Sequence, residues 1–344
     1  MKFVIDQAIP FIRGVFEPYA ETVYMDGTAI SREDLLDADA LVIRTRTRCN
    51  EALLGGTPVK LISTAAIGTD HIDIPFCIKN GIYFQNAPGC NSGGVMNYVF
   101  SALYGAASRE RIPLGRATMG IVGAGHVGSR IEGMARHLGL KVLLCDPPRA
   151  LEEGDAQFVS LDYLLANSDI VSMSVPLTNE TQRMANDEFF SKMKYGAFFI
   201  NTARGEIMDD DALLRAVPRL GPVIIDTWNN EPNVNPALIA AATIATPHIA
   251  GYSHQGKQRA TAAAVRAVAR YFMIEPLYEF FPVTEIAELE AVKLHLTGLE
   301  QGQIASVFQY NYPVFTDDFM FRVNPDRFEE LRANYRYRRE FYID

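Results

Sequence analysis

One stretch constrains the fold of this chain more than any other: Thr118 to Asp146, TMGIVGAGHVGSRIEGMARHLGLKVLLCD. Met119 to Val122 is a short apolar strand, and Gly123-Ala-Gly125-His-Val-Gly128 turns out of it. Val127, Ile131, Met134 and Leu138 then recur at helical spacing, and a second apolar strand, Val142 to Cys145, ends in Asp146. Strand, glycine turn, helix and strand make a βαβ unit, which calls for a parallel sheet with helices on its faces. Each residue type has a task if a dinucleotide sits here. Gly123 permits the tight turn, Gly125 lets the backbone approach a pyrophosphate, and Gly128 lets helix and strand pack closely. The helix N-terminus at His126 and Val127 offers free N–H groups and a positive dipole end to the phosphates. Asp146 stands about 20 residues on, where such sites place the acid that binds the adenosine ribose. A glycine pattern alone marks only a turn; with the strand, the helix and the acid in place it implies NAD.

At 344 residues the chain is long for one core, so two or three domains are expected. A net charge of −9 argues against a nucleic-acid partner, although a local basic pocket could still hold an anion. The cysteines, Cys49, Cys77, Cys90 and Cys145, are scattered without metal-type spacing and read as reduced thiols of a cytoplasmic protein. The opening MKFVIDQAIP is too short in its apolar part for a signal peptide, and no run approaches a membrane span, so no membrane is expected.

In chain order, strands are expected at Phe3–Ile5, Ala40–Ile43, Val59–Ser63 and Ile82–Phe84, with a helix over Pro10–Phe16. Two polar loops follow strand ends, RTRTR at Arg44–Arg48 and STAAIGTDHID at Ser63–Asp73, where open α/β sheets bind ligands. Asp70, His71 and Asp73 read as turn and helix-cap residues in preference to metal ligands; no metal is expected. A long helix, Asn91–Ala107, leads into the nucleotide unit, whose alternation continues through strands at Asp169–Val175, Ala197–Asn201, Val223–Asp226 and Thr243–Thr246. A helix over Asp211–Val217 and an alanine-rich one over Ala260–Phe272 are also expected. The expected architecture is α/β: two doubly wound parallel-sheet domains, a flavodoxin-like substrate domain (1–91 and 252–274) and a Rossmann NAD domain (92–251). Residues 275–344, aromatic and charged, read as a small C-terminal α+β module.

NTARG (Asn201–Gly205), DTWNNEP (Asp226–Pro232) and TPHIAG (Thr246–Gly251) each fall just past a strand of the nucleotide-binding sheet. Singly, Arg204, Glu231 and His248 would pass for solvated loop residues; jointly they suggest an active site. Here the chain resembles the D-2-hydroxyacid dehydrogenase family, which uses an Arg–Glu–His set in this order. The resemblance implies catalysis by Arg204, Glu231 and His248. It also implies that Asp226 holds the nicotinamide carboxamide, and that Thr202, Ala203 and Gly251 line the same half of NAD. Chemistry agrees with those roles. An imidazole can take the proton of a secondary alcohol, a carboxylate can fix its tautomer, and a guanidinium can clamp the substrate carboxylate.

Within the family, CDPPRA, GTDHID, APGCN, DTWNNEP, HIAGY, KLHLTGLEQ and FEELRANYRYRREF resemble one branch more closely. Its members oxidise the C2 hydroxyl of a four-carbon acid phosphorylated at C4, in the making of pyridoxal phosphate. That resemblance implies substrate contacts at Arg44, Thr45, Thr64 and Tyr252, and a homodimer made by the C-terminal module. Ser174 stands where the family often has a histidine, and Gln7 where a glutamate is usual. Arg336, Arg338 and Arg339 form a cationic cluster, read either as solvated and paired with Glu340 or as reaching a partner's substrate loop. Two rival functions remain at this point: another D-2-hydroxyacid dehydrogenase of phosphoglycerate or glyoxylate type, and an NAD-sensing interaction protein of the same fold. No low-complexity tail or basic stretch supports the latter.

Overall fold

The computed structural model describes residues 1–283 and 290–343. The chain forms two compact units, Met1–Asn91 with His254–Glu290, and Ser92–Ser253 with Ala291–Asp344.

The first unit is built on strands β1 (Lys2–Asp6), β2 (Glu21–Met25), β3 (Ala40–Ile43), β4 (Leu61–Thr64) and β5 (Tyr83–Gln85). All pair in parallel, in the order β2-β1-β3-β4-β5. β3 (ALVI) and β4 (LIST) are buried throughout, as strands covered on both faces must be. On one face Phe3, Ile5, Val42 and Leu61 pack against Val265 and Val268 of the helix His254–Phe272. That helix is also tied to β4 by a hydrogen bond from Ser63 Oγ to the Ala264 carbonyl, 3.1 Å. The strand order reverses between β1 and β3, so the loops after these strands, at Asp6–Ile9 and Arg44–Arg48, flank a switch point where such sheets bind ligands.

The helix expected over Pro10–Phe16 is not there. The chain runs through turns, with Phe11 at φ 61° and Gly14 at φ 84° in the left-handed region, which ends any right-handed helix. Ile12 and Phe16 are fully buried nonetheless. Their four-residue spacing reflects two turns folding onto the sheet. β2 was not foreseen, because an edge strand with half-buried side chains carries little alternation to read.

The second unit carries β6 (Thr118–Val122), β7 (Lys141–Cys145), β8 (Ile170–Met173), β9 (Phe198–Asn201), β10 (Val223–Ile225) and β11 (Ile244–Ala245), again all parallel. Their order is β11-β10-β9-β8-β6-β7, with the reversal between β6 and β8. Beyond β7, among the described residues, the sheet is extended by a bridge between Leu144 and Phe158. The helix Ser92–Arg109 is buried almost all round, from Ser92 to Ala107. It is apolar on every side because the helix His126–His137 covers one flank and the C-terminal helix Gln301–Asn311 another.

Residues 275–344 read as a separate module in the sequence; in the structure, Ala291–Asp344 packs as part of the nucleotide-binding unit. Two further parallel strands, β12 (Val292–Leu294) and β13 (Phe341–Ile343), pair with each other. Gly105 lets the following helices approach: a Cβ there would lie 2.7 Å from Gln309 Nε2 and 3.0 Å from the Phe315 ring. Asn97, fully buried, bonds both backbone groups of Phe341, donating to its carbonyl at 2.8 Å and accepting from its N–H at 2.9 Å. Among the described residues no helix is long and apolar enough to cross a membrane.

That double bond fixes β13 on the long helix, and a buried N–H or C=O left unpaired costs about 1–3 kcal/mol. Asn97→Ala should therefore lower unfolding free energy by about 2–4 kcal/mol in denaturant titration, whereas a change within error would show that the C-terminal strand is held elsewhere.

Candidate active site

Arg204, Glu231 and His248 follow β9, β10 and β11, three adjacent strands whose carboxyl ends face one way because the sheet is parallel. Close packing fixes the loops to one another. A Cβ on Gly205 would fall 1.9 Å from the Trp228 carbonyl carbon, so only glycine lets the Arg204 loop meet the Glu231 loop. Trp228 is buried, and its ring N–H donates to the Thr246 carbonyl at 2.8 Å, joining that loop to the His248 loop. Arg204 Nη1 donates to the Ala203 carbonyl at 2.8 Å.

His248 Nδ1 lies 2.8 Å from Glu231 Oε2, and Glu231 Oε1 accepts from the Trp228 N–H at 2.9 Å. Burial alone would raise the Glu231 carboxyl. The electrostatic attraction of His248, the bond to its ring, the Trp228 N–H and the nearby Arg332 outweigh that and hold it below the ordinary carboxylate range. Glu231 is thus an anion beside an imidazole, which favours the tautomer with its proton on Nδ1 and leaves Nε2 as a base.

Asp226 is buried, at 1% exposure. Its Oδ1 accepts from Thr246 Oγ1 at 2.7 Å and the Ile249 N–H at 2.8 Å, and Oδ2 from the Ala250 N–H at 3.0 Å. Burial pushes this carboxyl up against the lowering effect of His248 and the three donors. These bonds fold the His248 loop back on β10, a task the sequence motif did not disclose. The lone pair left on Oδ2 remains compatible with the carboxamide contact expected of it.

The nucleotide cradle has the shape its glycines require. Gly123 sits at φ 91°, and a Cβ there would meet the Ser174 carbonyl carbon at 2.7 Å, across the β6–β8 switch point. A Cβ on Gly128 would lie 2.0 Å from the Gly123 carbonyl oxygen, whereas at Gly125 it would meet nothing within 4 Å. Open space at Gly125 is what a pyrophosphate needs. Among the described residues the helix His126–His137 has no side-chain cap, and the carbonyl of its N-cap Gly125 accepts from Ser129 N–H, which leaves the N–H groups of His126, Val127 and Gly128 as the first-turn donors that can face a phosphate. The buried hydroxyls of Ser174 and Thr202 have no hydrogen-bond partner among the described residues. Orphaned donors at adjacent strand ends fit a polar ring substituent such as a carboxamide. Ala203 and Gly251 stand beside Thr202 and after His248 in the same unit.

Asp146 follows β7 and accepts the Ala124 N–H at 2.7 Å and the Arg149 N–H at 3.1 Å. Arg149 is already committed: Nε and Nη2 bind both oxygens of Glu153, at 2.7 and 2.8 Å. A phosphate on the 2′-hydroxyl would meet the Asp146 charge without a free arginine fork to offset it.

The first unit holds the remaining candidates. Ile43 pairs with Thr64 in register, which brings Arg44 and Thr45, after β3, beside Thr64 at the end of β4. Arg44 Nη1 donates to the Ala8 carbonyl, 3.2 Å, across the switch point. Thr64 Oγ1 is buried without a partner among the described residues. Asp73 caps the helix Ile74–Lys79, accepting from Phe76 N–H, in keeping with the cap role expected of it. Tyr252 lies in the second unit, its ring against those of Tyr335 and Tyr337.

Of the C-terminal arginines, Arg338 is committed within its own unit, with Nη2 2.8 Å from buried Asp317 and Nε 3.0 Å from Tyr335 Oη. The segment there is not helical, so the i,i+4 geometry expected with Glu340 does not arise; Glu340 accepts from Ser253 Oγ at 2.6 Å. Arg332, absent from the sequence-based candidates, places Nη1 4.0 Å from Glu231 Oε2. Its only sequence signal was membership of the charged terminal run.

The fold and the cradle define an NAD-dependent dehydrogenase. Residues 104–250 match the NAD-binding domain of the D-isomer specific 2-hydroxyacid dehydrogenases, and the chain belongs to that family. It is 41% identical to the erythronate-4-phosphate dehydrogenase of Bacteroides fragilis over 99% of this chain and 97% of that one. To the enzyme of the same name from Escherichia coli O1:K1 it is 37% identical, over 99% and 92%. The D-lactate dehydrogenase of Aquifex aeolicus, solved with NAD and lactic acid, superposes with a TM-score of 0.67 at 26% identity, covering 83% of this chain and all of that one. The cofactor is NAD.

Catalytic efficiency with NAD should exceed that with NADP by about 100-fold or more, close to 2.7 kcal/mol. Asp146→Ser should narrow the gap. Steady-state kinetics with both cofactors would contradict this if wild-type efficiencies were comparable.

Proposed function

We propose that the protein oxidises 4-phospho-D-erythronate at its C2 hydroxyl to the 2-oxo acid, a step in the making of pyridoxal 5′-phosphate. The observation that carries this is identity to enzymes named for that substrate over 99% of the chain, C-terminal segment included. The family's lactate dehydrogenase covers 83%.

His248 Nε2 takes the C2 hydroxyl proton. Glu231, bonded to Nδ1, holds the ring and stabilises the imidazolium that forms. Arg204 presents a planar fork that clamps the substrate carboxylate and polarises the oxygen at C2. NAD, when bound, supplies the acceptor for the hydride leaving C2. The glycine turn, Asp146, Thr202, Ala203, Asp226 and Gly251 hold NAD, Tyr252 contacts substrate, and Arg44 with Thr45 and Thr64 supplies donors for the phosphate. The active form is a cytoplasmic homodimer. Supporting a self-association surface, the C-terminal helix Val314–Val323 leaves Phe319, Met320 and Val323 exposed in one stripe, at 61, 44 and 53%. The cysteines, all buried thiols, suit a reducing compartment.

With 4-phospho-D-erythronate and NAD, NADH should appear at 340 nm, and phosphoglycerate and glycolate should be poorer substrates. His248→Ala should lower kcat by about 10²–10⁴-fold, with Arg204→Lys also severely impaired. Near-normal kcat in His248→Ala, with only KM altered, would remove the base from this scheme. Arg44→Ala should raise KM for the phosphorylated acid about 10-fold or more, since a charged hydrogen bond contributes about 1.5–3 kcal/mol. An unchanged KM would assign the phosphate elsewhere.

A further inference from the structure

Arg332 lies on the short C-terminal helix Phe328–Ala333, in the same unit as the nucleotide-binding sheet. Its Nη1 is 4.0 Å from Glu231 Oε2, the oxygen that meets His248, and 3.2 Å from Glu329 Oε1. The side chain is 18% exposed, and Nε is buried with no hydrogen-bond partner among the described residues. The helix is seated by Phe328, buried against Phe321 at 5.7 Å between ring centres, and Phe321 in turn contacts Trp228 at 5.8 Å. Trp228 is the residue whose N–H holds the other oxygen of Glu231. A little further on, Arg338 N–H donates to the Tyr252 carbonyl and Glu340 receives the Ser253 hydroxyl, which pins the terminal run to the end of the His248 loop.

The imidazole and the guanidinium therefore approach the same oxygen of one carboxylate. We propose that Arg332 is a positioning residue for the oxidation: its charge keeps Glu231 ionised and turned to His248, and limits how far Glu231 stabilises the imidazolium. The C-terminal segment then completes the active site within its own chain. A carboxylate taken from water needs compensation while the imidazole is neutral, and a cation at 4 Å supplies it. The charged and titratable groups facing the pair are Arg332, Glu329, Tyr252 and Asp226.

The inference rests on the roles proposed for Glu231 and His248. Its test is the pH profile of kcat/KM in full-length variants, with NAD affinity and melting temperature measured alongside. Arg332→Gln should move the acid limb upward, on the order of one pH unit, with NAD affinity unchanged. Arg332→Lys should return the limb towards the wild-type position. Glu329→Gln, at a half-buried position, should strengthen the Arg332 field and move the limb down, and it carries the test should Arg332→Gln not fold. A limb unmoved in whichever of these variants folds overturns the proposal, as does a higher KM with the limb in place. Failure of the substrate assignment shows separately: wild type would then ignore 4-phospho-D-erythronate, and the same profile could be run on whichever 2-hydroxy acid it does oxidise.

Discussion

The buried carboxylate of Asp226 binds the hydroxyl of Thr246 and the N–H groups of Ile249 and Ala250, and the position of His248 depends on those bonds. His248 itself stands at φ 56°, a left-handed conformation that costs roughly 1–2 kcal/mol for a residue with a Cβ. The loop keeps it because its N–H donates to the Asp226 carbonyl at 2.7 Å while the carboxylate gathers the residues around it. Thr246 is further engaged by Tyr98 Oη at 2.7 Å, from the long buried helix Ser92–Arg109. The His248 loop is thus tied into the core, and the ring presented to Glu231 has little freedom to turn.

From this anchor the second unit can be followed outward. The Trp228 ring bridges the Glu231 and His248 loops, and its tilted contact with Phe321, which meets Phe328 edge-on, carries the packing into the C-terminal helices. Those helices cover the long helix at Gly105, and β13 is tied to Asn97. Gly93 sits where any side chain would strike the Glu340 carboxylate, at 2.2 Å from Oε2. The terminal segment is packed into the nucleotide-binding unit and brings Arg332 to 4.0 Å from Glu231.

Much of this was legible in the residues. Gly123, Gly125, Gly128 and Asp146 follow from backbone geometry alone, because a tight turn, a phosphate and a helix–strand contact each demand a missing Cβ or a fixed acid. The strand-end positions of Arg204, Glu231 and His248 follow from the alternation of apolar runs. Pro10–Phe16 misled because Ile12 and Phe16 imitate a helical stripe, while the left-handed Phe11 is set by tertiary packing that no local pattern records. Arg332 and the clamp made by Asp226 were hidden for a related reason: each acts across a long sequence separation. Arg338 stood out in the sequence through its basic neighbours, but its charge is absorbed by Asp317.

The central claim is that Glu231 fixes the tautomer of His248, and nitrogen NMR of the imidazole reads that directly. With ¹⁵N-labelled histidine at a pH where the ring is neutral, the His248 signals should show the proton on Nδ1, with an unprotonated Nε2. Glu231→Gln should weaken that preference. A resting ring protonated on Nε2, or the same Nδ1 population with and without Glu231, would contradict the account.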